Sequence, residues 1–235
     1  MSKTQIAVIG ASGRMGQELA AAISLNKSAV ASVGVVRKGK AAGFSSSASK
    51  LDKSVSSKAD VVIDFSTLEN FENVLKFCAT EKIPLITGTT GLGEKEKKAL
   101  KKYSSQVAIL WSPNMSLGVA ALKEALKSLA NLEGFDFQIE ELHHNKKKDN
   151  PSGTALFLQD ELVKQTKKRV PAPIGIRGGG IFGVHKVWAM SDSEVLCFEH
   201  QALNRKVFAE GALKAALWLA HKKPGLYELK DVIAK

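Results

Sequence analysis

Residues 5–16 read Gln-Ile-Ala-Val-Ile-Gly-Ala-Ser-Gly-Arg-Met-Gly, and this stretch decides the fold of the first half of the chain. An apolar strand candidate, Gln5–Ile9, leads into a helix start with three spaced glycines, Gly10, Gly13 and Gly16. Glycines at this spacing permit a tight turn and a close approach to a pyrophosphate, whose charge faces the unpaired amides of the helix. The stretch predicts a dinucleotide-binding unit; the alternative is a turn whose glycines serve packing only.

The same alternation of strand and helix continues to about residue 111. The further strand candidates are Val30–Val36, Val61–Phe65, Leu85–Thr87 and Val107–Trp111. The helix candidates are Gly16–Leu25, Leu68–Thr80 and Glu94–Tyr103. Alternation predicts a parallel sheet, and the continuous apolar runs indicate helices on both of its faces. We therefore predict an α/β, doubly wound Rossmann domain, with Ser45–Ser57 as a loop or short helix.

After Pro113 the pattern changes, which indicates a second layer. A long amphipathic helix is predicted over Leu117–Leu132, and half-buried strands are predicted over Phe135–Glu140, Val184–Trp188 and Val195–His200. These elements predict an α+β domain with a mixed or antiparallel sheet. The helical stretch Glu210–Ala220 can belong to either domain.

Composition excludes several classes of protein. The chain has 235 residues and a net charge of +11, but its lysine runs interleave with Glu, Ala and Leu at helical spacing and not with aromatic residues. A groove that binds single-stranded nucleic acid needs such aromatic residues for base stacking, so we expect no nucleic-acid partner. No stretch approaches the roughly 18 apolar residues of a membrane span, and no export signal precedes Ile6. We expect a cytoplasmic protein without a membrane partner, with Cys78 and Cys197 as buried, reduced thiols.

The residues after the second strand bear on the choice of cofactor. An NAD-selective site would place a carboxylate about twenty positions beyond Gly16, where Val36 stands. Arg37 and Lys38 follow, and these cations suit the 2′-phosphate of NADP. NADPH is therefore the preferred cofactor and NADH a possible one; the alternative is a basic turn of no consequence.

Other small loops follow strands where ligands of an open α/β sheet bind. They are Gly88-Thr89-Thr90-Gly91, Ser112-Pro113-Asn114-Met115 and Asp64-Phe65-Ser66-Thr67. The first two suit the nicotinamide and its ribose, with plain turns as the alternative. For the third, capping of the next helix by Ser66 or Thr67 explains the residues equally well.

The densest chemistry lies in residues 141–154, Glu-Leu-His-His-Asn-Lys-Lys-Lys-Asp-Asn-Pro-Ser-Gly-Thr. The helix start at Ser152, Gly153 and Thr154 can hold a carboxylate through amides and hydroxyls, with lysines adding charge. Either His143 or His144 can donate a proton near neutral pH. A structural histidine pair is the alternative. Because adjacent strand residues point to opposite faces, we expect no metal site.

Residues 141–144, Lys147 and Pro-Ser-Gly-Thr-Ala at 151–155 closely resemble the signature of dihydrodipicolinate reductases, also called 4-hydroxy-tetrahydrodipicolinate reductases. Further motifs occur in the order of that family: 10–16, 64–66, 88–91, 112–119, Arg177-x-Gly179-x-x-x-Gly183-x-His185 and the helix 211–219. Many members have an acidic residue where Val36 stands, and this chain is shorter between Val163 and Pro171.

The resemblance implies NADPH- or NADH-dependent reduction of a cyclic unsaturated dicarboxylate to tetrahydrodipicolinate in the diaminopimelate route to lysine. His143 would be the proton donor or acceptor and Lys147 a second donor, with His144, Gly153 and Thr154 on the substrate. The residues expected on the dinucleotide are Gly10, Ala11, Ser12, Gly13, Arg14, Met15, Arg37, Gly88, Thr89, Thr90, Ser112, Pro113, Asn114 and Met115. It further implies a dinucleotide-binding domain over 1–114 and 210–235, a substrate and oligomerisation domain over 115–209, and a homotetramer.

Two other functions fit a Rossmann fold, because the fold alone does not establish activity. One is a non-catalytic NADPH sensor, which the pairing of His143 with Lys147 disfavours. The other is a different small-substrate NADP-dependent dehydrogenase of the aspartate-semialdehyde type. Its acyl chemistry needs a nucleophilic cysteine, and Cys78 and Cys197 lie outside every motif.

Overall fold

The structure is a computed structural model that describes residues 2–234, so Met1 and Lys235, the outermost residues of the predicted first domain, lie outside it. Its strands are β1 (Thr4–Ile9), β2 (Ala29–Val35), β3 (Ser46–Ala48), β4 (Val61–Asp64), β5 (Leu85–Thr87), β6 (Ala108–Trp111), β7 (Asp136–His143), β8 (Ile174–Arg177), β9 (Gly183–Met190), β10 (Val195–Ala202) and β11 (Gly225–Tyr227). Its α-helices are α1 (Arg14–Ser24), α2 (Lys53–Ser56), α3 (Phe71–Glu81), α4 (Glu94–Ser104), α5 (Leu117–Ala125), α6 (Gly153–Thr166), α7 (Lys206–Leu219) and α8 (Leu229–Ile233).

The first of two compact units comprises the chain up to Ser116 and from Phe208 onward. Its described strands form one parallel sheet in the order β11-β6-β5-β4-β1-β2-β3. From β1 the chain adds β2 and β3 on one side and then β4, β5 and β6 on the other. The direction in which strands are added therefore reverses between β1 and β4. The loops at the carboxyl ends of these two strands therefore flank a topological switch point, the usual ligand crevice of such sheets. The predicted α/β Rossmann fold is confirmed.

The second unit comprises Leu117–Val207 and contains a mixed sheet in the order β10-β9-β7-β8. Strand β7 pairs antiparallel with β9 and parallel with β8. The side chains of β7 that alternate inward, including Phe137 and Ile139, pack against buried leucines of the neighbouring helical segments. This arrangement places the end of β7 next to the start of α6, the two ends of the segment rich in histidine and lysine.

Two segments differ from their predicted secondary structure. The segment predicted as a loop or short helix holds both strand β3 and helix α2. The helix predicted over Leu117–Leu132 is α-helical only to Ala125 and continues as a 3₁₀ turn at Leu126–Leu129.

The prediction that Cys197 is buried is wrong, whereas Cys78 is buried as expected. Cys197 lies on β10, an edge strand, and faces outward opposite Trp188. An apolar run such as Val195–Cys197 resembles a core strand in sequence, but at a sheet edge it remains exposed. Among residues 2–234, no helix has the length and apolar character needed to cross a membrane.

Candidate active site

The turn after β1 has the shape of a phosphate cradle. Gly10 has φ +81°, and a Cβ there would lie 2.7 Å from the carbonyl oxygen of Phe65. A Cβ on Gly16 would lie 2.5 Å from the backbone of Ala11. Gly13 is the N-cap of α1 and brings no side chain to the amides of the first helical turn. Those amides therefore have no side-chain acceptor, and the backbone of this turn can bind a pyrophosphate.

The other predicted cradle residues line the same turn. Ser12, Gly13 and Arg14 are exposed, Met15 is half-buried and Ala11 is buried. Arg37 follows β2 and is exposed to solvent, as is Lys38. All of these residues belong to the first unit, where the predicted dinucleotide contacts stay predictions.

Asp64, at the carboxyl end of β4, organises the next loop. Its carboxylate is fully buried and accepts hydrogen bonds from the Thr87 hydroxyl (3.1 Å), the Thr89 hydroxyl (3.0 Å) and the Ser66 amide (2.9 Å). Burial raises the pKa of Asp64, although these hydrogen bonds oppose the rise. Both threonine hydroxyls point inward, so the loop presents its backbone and the exposed Thr90. The sequence analysis did not predict this role. The feature that could have indicated it is a carboxylate at the end of an apolar strand.

The loop after β6 is shaped by its own side chains. The Ser112 hydroxyl donates to the Asn114 carbonyl (2.6 Å), and the Asn114 side chain accepts from the Ser116 amide (2.8 Å). Met115 is buried and Pro113 half-buried. The Trp111 indole donates to the Thr89 carbonyl (3.0 Å), which ties this loop to the one after β5. The two loops predicted near the nicotinamide are therefore joined.

In the second unit, His143 is the last residue of β7 and its ring is joined to a buried carboxylate. Its Nδ1 lies 2.5 Å from Oε2 of Glu141. Arg177 of β8 approaches the same carboxylate with both terminal nitrogens, at 2.6 and 2.9 Å, and the Ser152 amide donates to it at 2.9 Å. Burial lowers the pKa of His143, although the Glu141 carboxylate opposes that effect.

His185 of β9 packs on the other side of this group. Its ring meets that of His143 edge to face at 5.2 Å, and its Nε2 lies 3.2 Å from the Ser152 hydroxyl. Burial, and then the nearby His143, lower the pKa of His185 to about 3. His185 is therefore neutral near pH 7.

The loop between β7 and α6 carries the remaining predicted residues. Lys147 forms an ion pair with Asp149 at 2.8 Å, and Ser152 caps α6 by accepting from the Ala155 amide at 3.2 Å. Burial alone would raise the pKa of Asp149, but bonds from Lys147 and from the Gly153 amide lower it. A carboxylate thus already rests between Lys147 and the helix start. His144 and Thr154 are half-buried beside it in sequence.

Glu141, Arg177 and His185 lie within the sequence motifs, but the sequence alone predicts no role for them. The available signal was Glu141 itself, which continues the inward series of Phe137 and Ile139 along β7. A carboxylate in such a series needs a buried partner. Within the described part of the chain, no three His, Cys, Asp or Glu side chains are grouped to hold a metal ion.

Comparison with known proteins gives matches over both units. Residues 4–115 match the family described as dihydrodipicolinate reductase, N-terminus, and residues 118–233 match dihydrodipicolinate reductase, C-terminus. A 4-hydroxy-tetrahydrodipicolinate reductase of Bdellovibrio bacteriovorus is 49% identical over 99% of this chain and 97% of its own length. One from Caldanaerobacter subterraneus is 44% identical over 78% of this chain and 80% of its own length.

Among solved structures, the dipicolinate-bound dihydrodipicolinate reductase from Paenisporosarcina sp. TG-14 superposes with a TM-score of 0.83. It is 18% identical and the match covers 97% of this chain and 99% of that one. At this identity the likeness establishes the fold.

We expect His185 to make the stability of the protein depend on pH. Its folded pKa of about 3 lies below that of an unfolded histidine, about 6.5, so the unfolded chain binds more protons between these values. The contribution is complete above about pH 6.5 and is lost as the pH falls toward 3, at up to about 1.4 kcal/mol per pH unit.

Urea unfolding between about pH 4.5 and about pH 7 measures this slope. His185→Gln is expected to make the fall in unfolding free energy shallower, whereas His221→Gln, at an exposed position, keeps the wild-type slope. Equal slopes for wild type and His185→Gln would contradict the prediction.

Proposed function

The chain belongs to the dihydrodipicolinate reductase family, and from that premise we propose how its residues carry out the reaction. It is an oxidoreductase that reduces 4-hydroxy-tetrahydrodipicolinate to tetrahydrodipicolinate with NAD(P)H, a step of lysine biosynthesis through diaminopimelate. The observation that carries this function is the consecutive match of both family parts over residues 4–115 and 118–233. We assign dinucleotide binding to the first unit and substrate binding to the second.

The substrate carboxylates bind at the start of α6 in this proposal. Lys147 and the Gly153 amide already hold the carboxylate of Asp149, which supports the fit of an anionic group there. Ser152, Gly153 and Thr154 begin the helix, whose N-terminus favours negative charge. His144 contributes a further polar contact. The Paenisporosarcina reductase was solved with dipicolinate, itself a dicarboxylate.

The reduction adds one hydride and one proton to the substrate. When bound, the nicotinamide dinucleotide supplies the hydride. The His143 ring, still 11% exposed, supplies or accepts a proton, and the Lys147 ammonium is a second donor. A proton donor or acceptor held in place contributes roughly 10²- to 10⁴-fold to the rate.

Preference for NADPH over NADH rests on the two cations after β2. Arg37 and Lys38 are exposed, and a guanidinium can contact the 2′-phosphate with two parallel hydrogen bonds. The pyrophosphate lies in this proposal at the cradle Gly10–Met15, and the nicotinamide end at Gly88–Thr90 and Ser112–Met115. The fit of the cradle is supported by the Cβ clashes at Gly10 and Gly16.

We also propose that four copies assemble through the outward face of the second sheet, in the cytoplasm. That face exposes Ile174 (54%), Ile176 (44%) and Val195 (57%), and Trp188 on it is half-buried. Apolar side chains concentrated on one face are typical of an interface. The exposed free thiol of Cys197 on the same face suits a compartment that keeps thiols reduced.

The activity prediction uses turnover of the product of dihydrodipicolinate synthase, generated in the same cuvette, followed by loss of reduced nicotinamide absorbance. His143→Ala and Lys147→Ala are expected to lower kcat by roughly 10²- to 10⁴-fold with a modest change in KM, because a proton donor is lost. Thr154→Ala is expected mainly to raise KM. Lys148→Ala, an exposed neighbour in the same lysine run, is the control for Lys147→Ala. Dinucleotide binding without turnover in the wild type would instead favour a sensor.

The cofactor prediction concerns Arg37→Ala. Loss of a charge-assisted hydrogen bond to the 2′-phosphate is expected to raise the Kd for NADPH about tenfold and to leave that for NADH unchanged. Fluorescence titration of both cofactors measures this, with Lys40→Ala as an exposed control. An equal loss for both cofactors would contradict a role at the 2′-phosphate.

The assembly prediction is a mass of about four chains by light scattering. Ile174→Lys is expected to yield smaller species, because a charge buried in an interface is costly. Its circular dichroism is expected to be unchanged, because the side chain is exposed in the single chain. Leu25→Lys, at an apolar site in the first unit that is more exposed still (76%), is the control. A monomeric wild type, or a tetramer that tolerates Ile174→Lys, would overturn the proposed face.

A further inference from the structure

Glu141 is an ionisable residue on the inward face of its sheet, where apolar side chains are usual. It occupies the inward series of β7, follows Phe137 and Ile139 at alternate positions, and is completely inaccessible to solvent. Gly175 stands directly opposite on β8, and a Cβ there would lie 2.8 Å from Oε1 of Glu141. A buried carboxylate costs several kcal/mol unless paired and hydrogen-bonded. Its partners therefore define what it does.

Three of the contacts to Glu141 are fixed donors. Arg177 donates two hydrogen bonds, one to each oxygen, and the Ser152 amide donates a third. Burial alone would raise the pKa of Glu141, but the bonds from Arg177, His143 and Ser152 lower it. Glu141 is therefore ionised, and an ionised carboxylate only accepts hydrogen bonds.

The fourth contact then fixes the state of His143. Its Nδ1 lies 2.5 Å from Oε2 of Glu141, so Nδ1 must carry the hydrogen between them. The other ring nitrogen, Nε2, borders Gly183, where a Cβ would lie only 3.0 Å away. Gly183 thus keeps the space beside Nε2 free of a side chain.

We propose that Glu141 is a positioning residue of the reduction, which keeps a proton on Nδ1 of His143 and makes Nε2 the atom that exchanges a proton with the substrate. The inference rests on the proposed role of His143. When the imidazolium donates, the bond from Nε2 to hydrogen breaks, the proton moves to the substrate, and Nδ1 keeps its own. The ring becomes neutral, and Glu141 and Arg177 remain ionised throughout.

The charged and titratable groups facing His143 come from several elements. Glu141 lies on β7, Arg177 on β8 and His185 on β9, and Lys147 lies in the loop that follows β7. Glu141 alone among these favours the protonated ring, whereas Lys147 and Arg177 disfavour it. Removal of the Glu141 charge must therefore lower the pKa of His143.

The first test measures the tautomer of His143 in the substrate-free wild type. Two-bond proton–nitrogen NMR correlations, assigned by their loss in His143→Gln, distinguish the two neutral forms. The expected result is hydrogen on Nδ1, and hydrogen on Nε2 would overturn the proposal. The measurement needs neither turnover nor a variant of Glu141. Full activity of His143→Ala alongside the expected tautomer would refute the proposed function of His143 and leave the geometry intact.

The second test is Glu141→Gln. Loss of an opposite charge in contact is expected to lower the NMR-measured pKa of His143 by about one unit or more and to populate the Nε2–H tautomer. The limb of the kcat/KM profile that depends on His143 moves to lower pH by the same amount, whether the ring gives or takes the proton. Glu140→Gln, the same charge change on the opposite face of β7, is expected to leave both values unchanged. An unchanged pKa and tautomer in Glu141→Gln would show that Glu141 is merely structural.

Discussion

The packing of β7, β8 and α6 in the second unit depends on one buried carboxylate. Glu141 draws together the end of β7, the neighbouring strand β8 through Arg177 and the start of α6 through the Ser152 amide. Truncating one partner of such a group costs about 3–5 kcal/mol, because an uncompensated charge stays behind. The same bonds that close the sheet against the helix also orient His143. In the proposed function, the fold and the chemistry of this unit therefore depend on the same hydrogen bonds.

Both ligand-binding proposals use the same physical device. In the first unit, the amides at the start of α1 are left without a side-chain cap by Gly13. In the second, α6 begins beside Lys147, which already pairs with a carboxylate. Each helix start offers partial positive charge and aligned donors to an anion. The strongly basic composition of the chain, +11 overall, adds long-range attraction for such ligands.

The parts of the fold that follow local rules could be predicted from sequence. The turn at Gly10 to Gly16 and the change of pattern after Pro113 each depend on residues that are close together in the sequence. The partner of Glu141 could not be predicted, because Arg177 lies 36 positions away and reaches it through the pairing of β7 with β8. The inward direction of the Thr87 and Thr89 hydroxyls likewise depends on Asp64, from another strand. The exposure of Cys197 could not be predicted, because an edge strand and a central strand can share one apolar pattern.

Ser152 has a consequence for inhibition that goes beyond its place in the helix cap. Its amide is engaged by Glu141, and its hydroxyl both accepts from the Ala155 amide and contacts His185. The first turn of α6 is therefore ordered before any ligand arrives, and little conformational entropy remains to be lost on association. In the proposed function, a rigid, planar diacid would therefore bind to a segment that is already ordered. Its affinity then reflects the cost of removing water from its two carboxylates and the cost of displacing the Asp149 carboxylate from Lys147 and the Gly153 amide.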